Sequence, residues 1–222
     1  MQRLSAVDEL ADSIRAVVLD GTVRSGTRLR EVEITAAYGV ARNTVRSALQ
    51  TLVHEGLLEH WPHRGISVRR FSKSDISDIF ILRAALETEA ARAIASNDLA
   101  TQGVFEAVEA LEAIDGAPWR DVMTADLAFH SALVHAVGSP RMDNAFASVI
   151  FQMQLIAAQP LDRPASQTVA QQHRVIAEAV ASGDADAAIN ETRAHLTLAR
   201  VRMLLASDQP DDEPWPASSV SQ

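Results

Sequence analysis

Ile34-Thr-Ala-Ala-Tyr-Gly-Val-Ala-Arg-Asn-Thr-Val-Arg-Ser-Ala-Leu-Gln-Thr-Leu52 holds two short helical patterns that meet at Gly39. The second is two-faced. Val45, Ala48, Leu49, Leu52 and Val53 recur at the spacing of one buried helical stripe. Arg42, Asn43, Arg46, Ser47 and Gln50 fall mostly on the opposite face, which carries two cations one turn apart and no carboxylate. Such a face suits a DNA groove, because arginine forks pair with phosphates or guanine edges and amides read adenine. Taken alone it also fits a solvated surface helix, and the neighbouring sequence decides between the two.

Upstream, Val7, Leu10, Ile14, Val17 and Val18 repeat at helical spacing, and Asp20-Gly21 ends that helix. Arg24 to Arg30 is a short basic connection containing a glycine. A helix around Thr35–Tyr38 leads into the two-faced helix, expected from Arg42 to His54 and stopped by Gly56. Leu57-Leu-Glu-His60 and Ile66-Ser-Val68 alternate like paired strands around a Pro62-His-Arg-Gly65 turn. Three helices followed by a hairpin with Arg64 at its tip spell a winged helix-turn-helix.

The charge distribution agrees. The chain has 222 residues and a net charge of −9. Residues 1–70 hold ten arginines against eight carboxylates, whereas residues 71–222 hold ten basic against twenty-one acidic groups. A basic piece on an acidic body is expected when one domain faces phosphates. There are no cysteines, so disulfides and thiolate metal sites are excluded. No apolar run has the length of a membrane span and the N-terminus lacks a signal-peptide core, so a cytoplasmic chain without a membrane partner is expected.

These residues carry a resemblance. Asp20-Gly21, Gly26-Thr-Arg-Leu-Arg-Glu31, Gly39-Val-Ala-Arg-Asn-Thr-Val-Arg46, Glu55-Gly-Leu-Leu58 and Arg64-Gly65 resemble the DNA-binding domain of GntR-type bacterial repressors over nearly all of residues 4–69. By position, the resemblance implies operator contacts from Ala41, Arg42, Asn43, Thr44 and Arg46, with Arg64 and Gly65 in the wing. Two departures stand out: Ala41 replaces the usual Ser or Thr, and Ser47 replaces a frequent Glu. A hydroxyl at the first position would cap the helix.

From Ser72-Lys-Ser-Asp75 onward the chain reads as helix after helix, with Ser74 or Asp75 as the expected first cap. The spacing predicts helices near 75–96, 101–114, 118–137, 140–159, 167–182 and 185–205, broken at Gly116-Ala-Pro118, Gly138-Ser-Pro140, Pro160 to Pro164 and Gly183-Asp184. The expected organisation is mainly α: a winged helix-turn-helix over 1–70, a linker over 71–74, an all-α helical bundle over 75–205 and a disordered tail over 206–222.

Polar residues interrupt the apolar stripes of this second region. Asp126 and His130 lie one turn apart among Val122, Phe129, Leu133 and Val137, so both reach one point. His173 sits among Val169, Ile176, Ala177 and Val180, and His195 lies at the edge of Ile189, Thr192, Leu196, Ala199 and Met203. One inward histidine is usually a hydrogen-bonded core residue. An aspartate and three imidazoles together are costly to bury unless something pairs them, and one divalent cation would satisfy all four. Such ligation suits zinc first, with nickel, manganese or iron as alternatives. His135 falls on another face. Arg83 and Glu87 likewise interrupt Ile76, Ile79, Phe80, Ala90 and Ile94, either as an internal ion pair or with Arg83 facing a ligand.

Asp126-x3-His130, His173-Arg-Val-Ile and His195-Leu196 resemble the all-helical effector domain of the FadR-type (FCD) branch of the same family, in its metal-binding version. Ser139-Pro140 departs from the frequent Asn-Pro. The resemblance implies a homodimeric transcription regulator that binds operator double-stranded DNA. It also implies one divalent metal per chain, and a small carboxylic acid effector held by that metal and Arg83. A metal-dependent enzyme fused to a DNA-binding module, and a regulator with a purely structural metal, are the alternatives.

Overall fold

The computed structural model describes residues 5–61, 65–157 and 164–206. The order is α1 (Ala6–Leu19), β1 (Arg28–Leu29), α2 (Glu31–Tyr38), α3 (Arg42–His54), β2 (Leu58–Trp61), β3 (Gly65–Val68), α4 (Lys73–Asn97), α5 (Gln102–Ala113), α6 (Trp119–His135), α7 (Pro140–Ala157), α8 (Ser166–Ala181) and α9 (Ala185–Ala206). The chain forms two compact units. One runs to Phe71 and includes α7 from Phe151, and the other runs from Ser72 to Ile150 with α8 and α9.

In the first unit, Ser5 caps α1 and closes a capping box with Asp8, satisfying donors the helix leaves open. Leu10, Ile14 and Val18 of α1 and Val45, Leu49 and Leu52 of α3 are buried, and the two helices pack together. Arg15 clasps both oxygens of Glu55, the C-cap of α3, at 2.7 and 3.0 Å, which ties α1 to the end of α3. Gly39 ends α2 with φ 66°, a left-handed turn that glycine adopts without steric cost.

The wing holds one more strand than the sequence announces. β1 lies inside the stretch expected to be a plain connection and pairs antiparallel with β3, giving the order β1-β3-β2. Leu58 faces Val68 and His60 faces Ile66 across β2 and β3. Two residues are too few to show alternation, so the pattern could not announce β1.

The second unit is helical throughout its described residues. Ala90 and Ala91 of α4, Val104, Val108 and Leu111 of α5, Phe129 and Leu133 of α6, and Ile176 and Val180 of α8 form its core. α4 packs along α9, and α5 lies on α6 and α8. Its first cap is Ser72, not Ser74 or Asp75. The Ser72 hydroxyl accepts from the Asp75 backbone N–H at 3.1 Å, and the Asp75 carboxylate accepts from the Ser72 backbone N–H at 2.9 Å. Asp75 is thus the third helical residue of a capping box, and α4 starts inside the expected 71–74 linker. The helix expected over 140–159 is described to Ala157, and its end from Phe151 groups with the first unit rather than the second. The expected tail lies outside the described residues apart from Ala206, which ends α9.

Ala41 is the N-cap of α3, with extended backbone (φ −67°, ψ 146°) and no side-chain cap. Ala41→Ser supplies the missing acceptor and should stabilise the chain by about 0.5–2 kcal/mol. The check is the denaturant midpoint; an unchanged or lowered midpoint would show that the hydroxyl makes no cap.

Candidate nucleic-acid interface and metal centre

α3 buries Val45, Ala48, Leu49 and Leu52 and leaves Arg42, Asn43, Arg46, Ser47 and Gln50 exposed, with Thr44 half-buried. Ala41, Arg42 and Asn43 therefore form an exposed group at the start of the helix. Arg46 has a partner the sequence did not announce. Its Nε and Nη2 donate to the two oxygens of Glu31, at 3.1 Å each. That contact draws the Glu31 carboxyl below its ordinary range. Gly65 opens β3 at φ 85°, and a Cβ there would lie 3.6 Å from Nη2 of Arg28, so the β1 arginine packs beside the wing. Arg64 lies outside the described residues.

The four inward polar residues of the second unit come together. Asp126 and His130 from α6, His173 from α8 and His195 from α9 each offer one ligand atom, and these atoms all lie within 4.8 Å of one another. Nε2 of His130 is 3.2 Å from Nε2 of both His173 and His195. Asp126 Oδ1 is 3.2 Å from His173 Nε2, and Asp126 Oδ2 is 3.8 Å from His130 Nε2. His135 stays apart, beside Asp143 at the surface.

Second contacts fix the protons. His173 Nδ1 lies 2.7 Å from the Val169 carbonyl oxygen, which only accepts, so Nδ1 carries the hydrogen. His130 Nδ1 lies 2.5 Å from Glu87 Oε2, an ion-pair contact, though neither atom meets hydrogen-bond geometry. Where both rings are neutral, the two Nε2 lone pairs face each other at 3.2 Å between buried side chains. Such lone pairs repel unless a proton or a metal cation lies between them. Zinc–imidazole bonds of about 2.0–2.1 Å would set neighbouring ligand nitrogens roughly 3.3 Å apart in a tetrahedron, close to the spacing present. The donor set therefore fits a divalent ion.

The electrostatics point the same way. Burial lowers the His130 imidazole despite the carboxylates of Glu87 and Asp126 beside it. Burial, reinforced by His173 and His130, holds His195 well below the ordinary range. Asp126 is held well below the usual carboxylate range, because the histidines around it outweigh its burial. Glu87 is also lowered: burial opposes ionisation, but Arg83 and His130 prevail. Arg83 Nε donates to Glu87 Oε1 at 2.7 Å with both side chains shielded from water, so the internal pair is real. It does not use the whole guanidinium. Arg83 Nη2 is buried without a hydrogen-bond partner among the described residues. Arg83, Asp126, His195, Trp119, Gln172 and Arg202 share the wall of one cavity of about 50 Å³. The sequence marked Glu87 as a partner for Arg83 or, on the enzyme alternative, as a base near the metal. Its orientation of His130 was the part missed, although the inward i,i+4 pair was the available signal.

The FCD domain family matches residues 78–198, and the gntR family of bacterial regulatory proteins matches residues 6–68. The chain belongs to the GntR family, in its FadR-type (FCD) branch. A protein described as a GntR transcriptional regulator from Rhodococcus sp. RHA1 is 32% identical, with 91% of this chain and 99% of that one covered and a TM-score of 0.78. A probable D-xylose utilization operon transcriptional repressor of Paenarthrobacter nicotinovorans is 28% identical, with 88% of each chain covered. An Escherichia coli (strain K12) chain named for the L-lactate dehydrogenase operon is 26% identical, with 91% of this chain and 87% of that one covered. This GntR/FCD chain is a transcription regulator. GntR regulators bind DNA and are typically dimers. No helix among the described residues is long and apolar enough to cross a membrane.

Two outcomes are expected of the cluster. The purified chain should hold about one divalent ion, and His173→Ala should lose most of it and melt lower, since an ion bound only by the folded state stabilises that state. Elemental analysis with thermal melts checks this. The chelated chain should lose stability as pH falls below about 6.5, the ordinary imidazole value. Unfolded imidazoles take up protons there that buried His130 and His195 refuse until lower pH, so acid favours the unfolded state. Melts from pH 8 to 5 in chelator read this directly; a flat profile would contradict it.

Proposed function

We propose that this regulator senses a small carboxylic acid through a divalent metal, and that the acid controls its affinity for operator DNA as a homodimer. One observation carries the reading: residues of a four-ligand His/Asp cluster and an incompletely satisfied, buried guanidinium share the wall of one small cavity. Asp126, His130, His173 and His195 would hold the ion, zinc first, with nickel, manganese and iron also suited to this nitrogen and oxygen set. When bound, the ion supplies positive charge and open coordination positions for an oxygen ligand. The free Nη2 edge of Arg83 would then grip a carboxylate, as guanidinium forks do.

The cavity has room for only a few heavy atoms, which favours a small acid. The relatives are named for operons of D-xylose utilization and of L-lactate dehydrogenase, one a sugar and one a small acid. Their names leave the ligand class open. The buried cationic wall favours the acid.

On the DNA side, Ala41, Arg42, Asn43, Thr44 and Arg46 would meet the operator from α3, with Arg64 and Gly65 in the wing. Phosphate contacts from exposed arginines make such binding fall steeply with salt. Two winged helices of a dimer would reach two half-sites.

The deciding variant is Arg83→Lys, because a lysine still offers Glu87 a cation, whereas alanine would leave that carboxylate buried and unpaired. Arg83→Lys should bind acids such as lactate or pyruvate at least tenfold more weakly, with metal content and acid-free operator binding unchanged. Calorimetric titration with and without operator measures both parts. Coupling is reciprocal, so operator must change acid affinity by the factor by which acid changes operator affinity. An acid that binds wild type and Arg83→Lys equally would remove the arginine from the site.

A further inference from the structure

Arg46 and Glu31 stand fifteen residues apart in sequence, on α3 and at the first position of α2. Their contact joins the two helices of the helix-turn-helix on an exposed face, with the Arg46 side chain 66% and the Glu31 side chain 34% accessible. Exposed arginines are ordinarily free to swing. Here the guanidinium is fixed at two points, because Nε and Nη2 each reach a different oxygen of Glu31.

A guanidinium has five N–H donors in one plane. Glu31 takes the Nε–Nη2 edge and leaves both Nη1 hydrogens and the outer Nη2 hydrogen. Those form the end-on fork, and an end-on fork matches O6 and N7 of a guanine. A phosphate would also accept the fork, but it would bring a second negative charge close to the Glu31 carboxylate, and like charges repel. A base edge carries no net charge and meets no such penalty. Arg42, one turn earlier on α3, is exposed and feels Glu31 only through its charge, so it is the cation available to phosphate.

We infer that Glu31 is a positioning residue that presets Arg46 to read a guanine in each operator half-site and turns it away from the phosphate backbone. This rests on the reading that α3 enters the DNA groove. Glu31 also lies in the first turn of α2, where an acid favours the helix in any case. The test must therefore read more than stability.

Wild-type full-length protein would first select its preferred duplex from a random-sequence DNA pool. Binding would then be measured by fluorescence anisotropy at several salt concentrations, on the selected duplex, on versions with each guanine replaced, and on unrelated duplex. Wild type should discriminate against replacement of one guanine per half-site by roughly 5–150-fold. Glu31→Gln should lose most of that discrimination at that position alone. It should also bind unrelated duplex more tightly, with a salt slope steeper by about one unit, because the released cation now meets a phosphate. Arg46→Lys, which leaves Glu31 in place, should keep binding to unrelated duplex and lose the same discrimination. A folded Glu31→Gln with wild-type base preferences and salt slope would overturn the inference. So would an Arg46→Lys that still discriminates at that guanine. Wild type that enriches no sequence would overturn the groove reading itself, and this inference with it.

Discussion

The second unit depends on a chain of charge kept away from water. Arg83 and Glu87 are almost wholly shielded, Glu87 reaches on to His130, and His130 faces His173, His195 and Asp126. Every link compensates a group that would otherwise be stranded. Breaking a buried pair by removing one partner costs about 3–5 kcal/mol, because the other charge stays behind. Replacing such groups with apolar ones would often be neutral, so stability alone gives no reason to keep them. The last link brings three imidazole nitrogens and the Asp126 carboxylate together, a donor set suited to a divalent cation.

Four helices deliver that arrangement, and each does so through an ordinary local rule. One helical turn separates Arg83 from Glu87 on α4 and Asp126 from His130 on α6, so each pair converges. His173 bonds back to the carbonyl one turn earlier on α8, which sets its ring without any other helix. α9 completes the set with His195, whose own Nδ1 finds no hydrogen-bond partner among the described residues. Phe129 packs edge-on against the His173 ring, with centroids 4.5 Å apart, and holds it from the apolar side. Shift any of these helices by a residue and the ligand atoms separate.

The DNA-facing unit solves a different problem. Its exposed arginines must stay soluble and selective without burial to fix them. A carboxylate from a neighbouring element supplies the restraint: Glu31 on Arg46 across two helices. An exposed ion pair adds little stability in water. What such a pair can set is the direction of a donor, and direction matters most where a side chain reads a flat base edge.

Much of this was legible in the residues. Stripes at helical spacing placed the long helices to within a few residues, and the glycine and proline breaks ended them, because helix periodicity and capping depend on neighbours three and four positions away. Inward histidines marked the cluster for the same reason: a polar residue on an apolar stripe must find a partner. The cap of α4 was misplaced because Ser72, Ser74 and Asp75 all suit a cap, and only the backbone path shows which hydroxyl meets which N–H. β1 was missed because two residues carry no period, and its strand character comes entirely from pairing with β3. The same division holds at the sites. Sequence by itself determined which side chains are cationic, ligating or buried. Tertiary structure alone decided that Arg46 answers to Glu31 fifteen residues away, that His130 meets His173 and His195 at separations of 43 and 65 residues, and that Glu87 lies against His130. Contacts between residues that distant in the chain are set by how helices pack, and packing is a property of all the stripes together.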